Sequence, residues 1–381
     1  MHTSFLHTQL LLRQRVFVRA DLNVPIAENG TIKNDKRLKS MLPTIKHIQK
    51  RGGKVIIGSH IGQPSGGNLE HHLSTRNLVS WFEQEGFVVD FESDMLAAQP
   101  KTYENQERIM LLENLRFFVG EREYSMPFAD LLANLADLYV NDAFGTMHRN
   151  DTSVSLLPRL FLPQNRGWGL LVEEELSHLE PLHVAPQQPL MLVLGGAKAA
   201  DKIPLMTNFL LHHAPQAILL GGKLAFPFLA AQGKNLGASQ PSTEEITLAK
   251  QVLDNLRSTK LILPIDFVVT NDVITDIGAQ SIDLFANHLT NAKTIFLNGT
   301  MGINDTPADS QGTAGIINAI AQLHDCTKIV GGGDAVAAVE TLGKANAMTF
   351  LSTGGGATLA YLASENPWQE LPGLKALGPA A

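Results

Sequence analysis

Short apolar runs, each breaking off at Gly, His, Asn or Asp, recur along the whole chain and limit what it can fold into. In the first half they read "VFVRADLN", "KVIIGSH", "RIMLLENLRF" and "DLYVNDAFG". In the second they read "LMLVLGGAK", "AILLGGK", "LILPIDFVV", "TIFLNGTMG", "KIVGGGD" and "MTFLSTGGG". None shows the alternation of a strand with one solvated face. Apolar throughout, they read as strands buried on both faces of a parallel sheet. Helical patterns lie between many of them, such as "RLKSMLPTIKHIQKRGG", where the glycine pair stops the helix. Strands alternating with helices predict an α/β fold of doubly wound, Rossmann-like parallel sheets.

A chain of 381 residues is long for one core, which favours two domains. The stretch "GWGLLVEEELSHLEPLHVAPQQP" separates the two series of runs; its centre reads as an amphipathic helix and its Pro/Gln-rich end as a break. The expected division is a first domain over 1–168, a helical hinge over 169–188, a second domain over 189–366 and a terminal segment over 367–381. A net charge of −7 argues against broad nucleic-acid or anionic-membrane binding, so any basic site must be local. The single cysteine, Cys326, excludes an internal disulfide framework and a Cys-based metal cluster. No apolar stretch approaches the roughly 18 residues of a membrane helix, and the N-terminus lacks the order of a signal peptide. A cytoplasmic protein is expected.

Polar residues cluster just past the strand runs, where open parallel sheets bind ligands. "GGGDAV" and "GGGATL" lack the third glycine of a dinucleotide loop, and "LGGKLA" lacks the earlier glycine and the Ser/Thr of a P-loop. The glycine pairs are therefore either tight strand-to-helix turns or turns that approach an anion. In "LGGAKAADKIPLM" Asp201 is the expected N-cap, with Pro204 in the first turn and Lys198 and Lys202 beside the helix start. These are two solvated lysines or the cations of a polyphosphate site. Asp334, in "GGGDA", is either the N-cap of the next helix or a carboxylate for the Mg²⁺ that travels with nucleotide phosphates.

The first half supplies a different set. Arg19, Asp21 and Asn23 follow the first run, Arg37 lies in the next helix, and His60 ends the second run. Arg116 follows "LLEN", and His148 and Arg149 follow "NDAFGTM". Several arginines and a histidine on one sheet edge suit a small anion carrying phosphate and carboxylate, both of which a guanidinium fork can grip bidentately.

The pieces "RADLNVP", "SHIGQP", "LLENLRF", "NDAFGTMHR", "LGGAKAADK", "LNGTMG", "GGGDA", "STGGGAT" and "LPGLKAL" stand in the order and spacing of the phosphoglycerate kinases, and the chain resembles that family along nearly its whole length. The resemblance implies two Rossmann-like domains facing across a cleft, joined by an interdomain helix about which they close. It implies reversible phosphoryl transfer between 1,3-bisphosphoglycerate and Mg-ADP, giving 3-phosphoglycerate and ATP. The glycerate would be held by Asp21, Asn23, Arg37, His60, Gln63, Arg116 and Arg149. The nucleotide would be held by Lys202, Asp305, Gly332, Gly333, Asp334 and Ala335, with Mg²⁺ on Asp334. Arg37, Lys198, Lys202 and the helix start around Gly354 would serve the transferring group. The final segment would return to the first domain. A monomer is expected, with no nucleic-acid or membrane partner.

The chain departs from the family pattern at several positions. Gln63 stands for an arginine, and Asn150 and Asp151 follow "HR" where an alanine is usual. Leu297, Thr300 and Asp305 replace Trp, Pro and Glu, and Ala335 replaces Thr. These departures support the alternative of a weakened member that binds nucleotide or a partner without turnover. A dinucleotide-dependent dehydrogenase is disfavoured by the missing loop.

Overall fold

The computed structural model describes residues 4–27, 30–64, 70–94, 108–197, 199–303, 306 and 310–378. The chain divides into two compact units, one of Met1–Ser177 with Asn366–Ala381 and one of His178–Glu365. The division falls inside the helix Leu170–Val184, within the stretch expected to be the hinge.

The first unit holds strands β1 (Arg15–Ala20), β2 (Lys54–Gly58), β3 (Val88–Glu92), β4 (Arg108–Leu112), β5 (Leu138–Asp142) and β6 (Arg166–Trp168). They form a six-stranded sheet in the order β3-β4-β2-β1-β5-β6, every pairing parallel. The inner strands β1 and β5 are buried almost throughout and the edge strand β3 is half-exposed, which explains why only the inner runs are uniformly apolar. The helix Lys36–Lys50 buries Leu38, Met41, Leu42, Ile45 and Ile48, one apolar stripe at helical spacing. It ends at Arg51, and Gly52 follows in the left-handed region with φ +79°, so the glycine pair stops the helix as expected.

The second unit holds β7 (Leu190–Leu194), β8 (Ala217–Leu220), β9 (Lys260–Ile262), β10 (Phe267–Thr270), β11 (Val273–Ile277), β12 (Thr294–Asn298), β13 (Thr327–Gly331) and β14 (Phe350–Leu351). Six of them form a parallel sheet in the order β14-β13-β12-β7-β8-β9; β10 and β11 pair separately as an antiparallel hairpin. Here the sequence reading needs correction. "LILPIDFVV" is two strands, β9 and β10, with Pro264 between them, because proline cannot donate to a ladder. The hairpin turns at Asn271 and Asp272, both at positive φ (49° and 60°), a conformation these two residue types tolerate.

In each sheet the winding reverses beside the first strand, between β1 and β5 and between β7 and β12. Such reversals open a crevice at the carboxyl ends of the strands. Both series of polar residues lie there.

Two further features belong to the first unit. The helix Pro372–Leu377 packs on it: Gly373 N–H donates to Met147 O at 2.9 Å and Arg166 Nε to Leu377 O at 3.3 Å. A side chain at Gly373 would meet Met147 Cα at 2.9 Å, so this docking requires glycine. Asp142, fully buried at the end of β5, accepts from the amides of Leu171 (3.0 Å) and Val172 (3.4 Å) and so caps the helix Leu170–Val184. Burial pushes its carboxyl up to about 6, with the Thr44 hydroxyl and the two amides pulling the other way.

Candidate functional site

The carboxyl edge of the first sheet gathers most of the predicted anion-binding residues. Asp21, just past β1, accepts from Arg37 Nη1 at 3.1 Å and from Asn23 N–H at 3.3 Å, while Arg37 Nη1 also donates to Asn23 O at 3.2 Å. Asn23 Oδ1 accepts from Gly62 N–H at 2.9 Å, and Arg116 Nη1 donates to Gly62 O at 3.0 Å. Both groups of the Gly62 residue are thus held from opposite sides. Gln63 follows directly and is exposed. Arg149 is half-buried, its guanidinium pushed down by burial and by Arg116, with Asp151 and Asp21 opposing.

Two buried donors in this cluster, Arg116 Nε and His60 Nε2, have no partner among the described residues, and neither does Nδ1 of the neighbouring His148. The His60 ring is held well below its ordinary value by burial first, then by Arg19, Arg116, Arg149 and Arg37, so it is neutral. Its Nδ1 lies 3.1 Å from Arg19 Nη2. A guanidinium only donates, so Nδ1 is the acceptor and the proton sits on Nε2. Orphaned buried donors beside partly exposed arginines are groups waiting for acceptor oxygens.

Arg19, expected past the first run, lies inside β1 instead. Arg19 is fully buried and serves the cluster from beneath, donating to Ser153 Oγ (2.7 Å) and Ala20 O (2.5 Å) as well as facing His60. Asp151, noted only as a departure, forms a largely buried ion pair with Arg116 at 3.0 Å. Glu121 and Ser153 are further buried polar residues of this region that lie in no quoted motif, and Ser59 and Asn114, inside "SHIGQP" and "LLENLRF", were given no role there.

On the second unit, the turns after β7, β8 and β12 close against one another. Gly195 N–H donates to Asn298 O, Gly196 N–H to Thr300 O and Gly222 N–H to Met301 O, at 2.7–2.8 Å. These glycines are required for close backbone packing: a side chain at Gly222 (φ +57°) would meet Gly196 N at 2.8 Å. Their amides are therefore not free for phosphate. Beside them lies a cavity of about 210 Å³, lined by Gly196, Ala197, Lys223, Phe226, Phe267, Ile274, Asp276, Thr300, Ile303 and Asp334 among others. Its walls combine apolar rings and aliphatics with a few polar groups, as small-molecule sites do. Lys223 and the hairpin residues Phe267 and Ile274 were not anticipated; only the "GGK" turn carried any signal.

Lys202 is buried near this cavity, since a Cβ on Gly196 would lie 3.7 Å from its Nζ. Its helix begins at Ala199, three residues before the start that an N-cap at Asp201 would give. Asp201 is consequently in the first turn and is not the N-cap, and Pro204 lies deeper inside the helix. Lys198 and Asp305 fall outside the described residues.

The helix Gly333–Thr341 is capped by Gly332 at φ +90°, so Asp334 is not an N-cap. Asp334 is exposed and borders the cavity, whereas Ala335, expected beside the phosphates, is fully buried in the apolar core of this unit. A Cβ at Gly332 would approach Asn298 Nδ2 to 2.9 Å, and this buried amide nitrogen has no partner among the described residues. Gly333 is exposed at the helix start. Gly354 N–H is spent on Ser352 Oγ at 3.2 Å, and the helix that follows begins at Gly356.

Comparison with known proteins is consistent along the full length. A sequence profile described as phosphoglycerate kinase matches residues 8–365. The phosphoglycerate kinase of Bdellovibrio bacteriovorus is 38% identical, the match covering 95% of this chain and 94% of that one. That of Dictyoglomus turgidum is 37% identical over 96% and 95%. The solved structure of phosphoglycerate kinase from Coxiella burnetii superposes with a TM-score of 0.84 at 32% identity, covering 97% of each chain. That from Pyrococcus horikoshii OT3 gives 0.81 at 29% identity over 98% of each. With this fold, these two sheet-edge sites and similarity spanning almost every residue, the chain belongs to the phosphoglycerate kinase family.

Proposed function

We propose that the chain phosphorylates 3-phosphoglycerate with Mg-ATP, and runs the reverse transfer from 1,3-bisphosphoglycerate to ADP. The observation that carries the assignment of sites is the pair of orphaned buried donors, Arg116 Nε and His60 Nε2, within the arginine cluster of the first unit. They fit the oxygens of a phosphorylated, carboxylated anion. The nucleotide is assigned to the cavity of the second unit, with Lys202 and Asn298 Nδ2 near the phosphates.

A magnesium ion fits this reading. Asp334 borders the cavity and its carboxylate is not used as a cap. Among the described residues no group of three or more His, Cys, Asp or Glu could hold a metal alone. One protein carboxylate suffices for a Mg²⁺ carried by phosphates and water. Bound there, the ion would neutralise charge on the phosphate oxygens. The chain's own part is to position donor and acceptor in line and to surround the moving group with positive charge.

Donor and acceptor are assigned to separate units, and in-line transfer needs them adjacent. We therefore infer closure about the helix Leu170–Val184. The net charge of −7 supports a monomer with no nucleic-acid partner, and a single cysteine suits the reducing cytoplasm. No helix among the described residues is long and apolar enough to cross a membrane.

Two substitutions test the assignment. Arg37→Ala should raise the KM for 3-phosphoglycerate about tenfold or more, the loss of a charge-assisted contact, and leave the KM for ATP unchanged. Lys202→Ala should weaken Mg-nucleotide binding and turnover. If the two variants exchanged these effects, the sites would be assigned to the wrong units.

A further inference from the structure

Glu121 is a fully buried carboxyl group that phosphoryl transfer does not require. Both its oxygens are committed to one residue: Oε2 accepts from Ser153 N–H at 2.9 Å and Oε1 from Ser153 Oγ at 2.5 Å. The same hydroxyl accepts from Arg19 Nε at 2.7 Å, and Arg19 Nη2 donates to His60 Nδ1 at 3.1 Å. An unbroken chain of hydrogen bonds therefore runs from Glu121 through Ser153 and Arg19 to His60. It ends on the imidazole whose Nε2–H has no partner among the described residues.

We propose that Glu121 is a positioning residue for the glycerate: through Ser153 and Arg19 it fixes the tautomer and orientation of His60, whose Nε2–H donates to an oxygen of the bound substrate. The proposal rests on the assignment of the glycerate to the first unit. Each link has a defined polarity. The carboxylate only accepts, so the Ser153 hydroxyl donates to it and presents its lone pair to Arg19. The guanidinium only donates, so His60 Nδ1 accepts and Nε2 keeps the proton. Arg19 is fully buried and forms no direct ion pair among the described residues. Glu121, one hydroxyl away, is the carboxylate that balances it.

The cost of this arrangement indicates that it serves a purpose. Burial raises the Glu121 carboxyl to about 7, against the pull of Arg19 and Ser153, with Asp151 adding to the rise. Its ionised form therefore costs stability at and above neutral pH, where a neutral residue would cost less. The charged groups acting on it are Arg19 from β1 and Asp151 from the segment after β5; Tyr139 of β5 is held neutral by burial. Arg116, in the turn Leu115–Phe117, is engaged with Gly62 and Asp151, and Asp130 on the helix Met126–Ala133 is exposed. Glu121 therefore titrates against a nearly fixed background.

The test compares Glu121→Gln, Glu121→Asp and Ser153→Ala with the unaltered enzyme, with Arg116→Ala as control for the site itself. Glu121→Gln should raise the KM for 3-phosphoglycerate about tenfold above pH 8, the loss of one charge-assisted hydrogen bond, and leave the KM for ATP unchanged. Glu121→Asp should recover part of the loss and Ser153→Ala should reproduce it. Below pH 6 the wild-type carboxyl is itself protonated, so the ratio of variant to wild-type KM should fall toward one. Taking the ratio cancels the titration of the substrate phosphate. A ratio that is flat with pH, or a KM unchanged in all three variants while Arg116→Ala raises it, would overturn the proposal. If Arg116→Ala also left the KM unchanged, the assignment of the glycerate to this unit would be what fails. Should the variants not fold, ¹⁵N spectra of the wild-type His60 ring decide the matter: it must stay the neutral Nε2–H tautomer from pH 6 to 8, with shifts that move around pH 7. A ring protonated on Nδ1, or one insensitive to pH in that range, would refute it.

Discussion

Asp151 is a carboxylate among arginines, and its partner decides how the neighbouring departure at Gln63 behaves. A carboxylate left unpaired there could neutralise a guanidinium introduced at position 63. In the structure it is already paired with Arg116 at 3.0 Å, in a largely buried setting. Gln63→Arg should therefore act on the substrate, though weakly, because the position is exposed and solvent screens the new charge. We expect the KM for 3-phosphoglycerate to drop about three-fold at low salt, the size of an exposed ion pair, and by less in high salt. Steady-state kinetics at two ionic strengths checks this; a change in the KM for ATP alone would remove "SHIGQP" from the glycerate site. The sequence was least legible at this scale. It identified Asp334 and Ala335 as neighbours at a helix start, but not that one is exposed beside the cavity and the other buried in the core. Glu121 and Ser153 escaped notice for a related reason: a lone Glu and a lone Ser carry no spacing signal, and their role exists only once the helical turn Thr152–Leu156 has packed against β1 and β5.

Secondary-structure elements were read more securely, with errors at their ends. Apolar periodicity and the Gly52 stop defined the helix Lys36–Lys50, whereas the helix carrying Lys202 starts two residues before the expected cap, and Pro264 divides one expected strand into two. Propensity rules place element interiors well, but tertiary contacts set the boundaries. The helix Leu170–Val184 owes its start to Asp142, whose folded carboxyl titrates at about 6 against an ordinary value of 3.8. A raised carboxyl value means the folded state holds the proton more tightly than the unfolded chain. The stability it supplies is complete below about pH 4 and is lost as pH rises toward 6. Asp142→Asn keeps an Oδ1 acceptor for the amides of Leu171 and Val172 without the charge. Relative to wild type, its unfolding free energy should rise by on the order of 2–3 kcal/mol between pH 4 and pH 7. Urea denaturation across that range measures the difference; parallel curves would show that the buried charge carries no such cost.

For the molecule as a whole, the architecture was legible because uninterrupted apolar runs can only be buried strands, and two series of them require two sheets. The two compact units part at Ser177/His178, inside the helix Leu170–Val184. The glycine turns stayed open between two readings, because steric close packing and anion binding use the same residue; the backbone hydrogen bonds of Gly195, Gly196 and Gly222 favour close packing at those three. The departures from the family pattern leave the arginine cluster and Lys202 in place, so a working enzyme is expected. Its most direct test is turnover of the purified chain with 3-phosphoglycerate, ATP and Mg²⁺, followed as ADP formation. Saturation by both substrates is expected, with activity lost when EDTA removes the metal and restored by added Mg²⁺. A folded protein that binds both substrates at millimolar concentration and yields no ADP would contradict it.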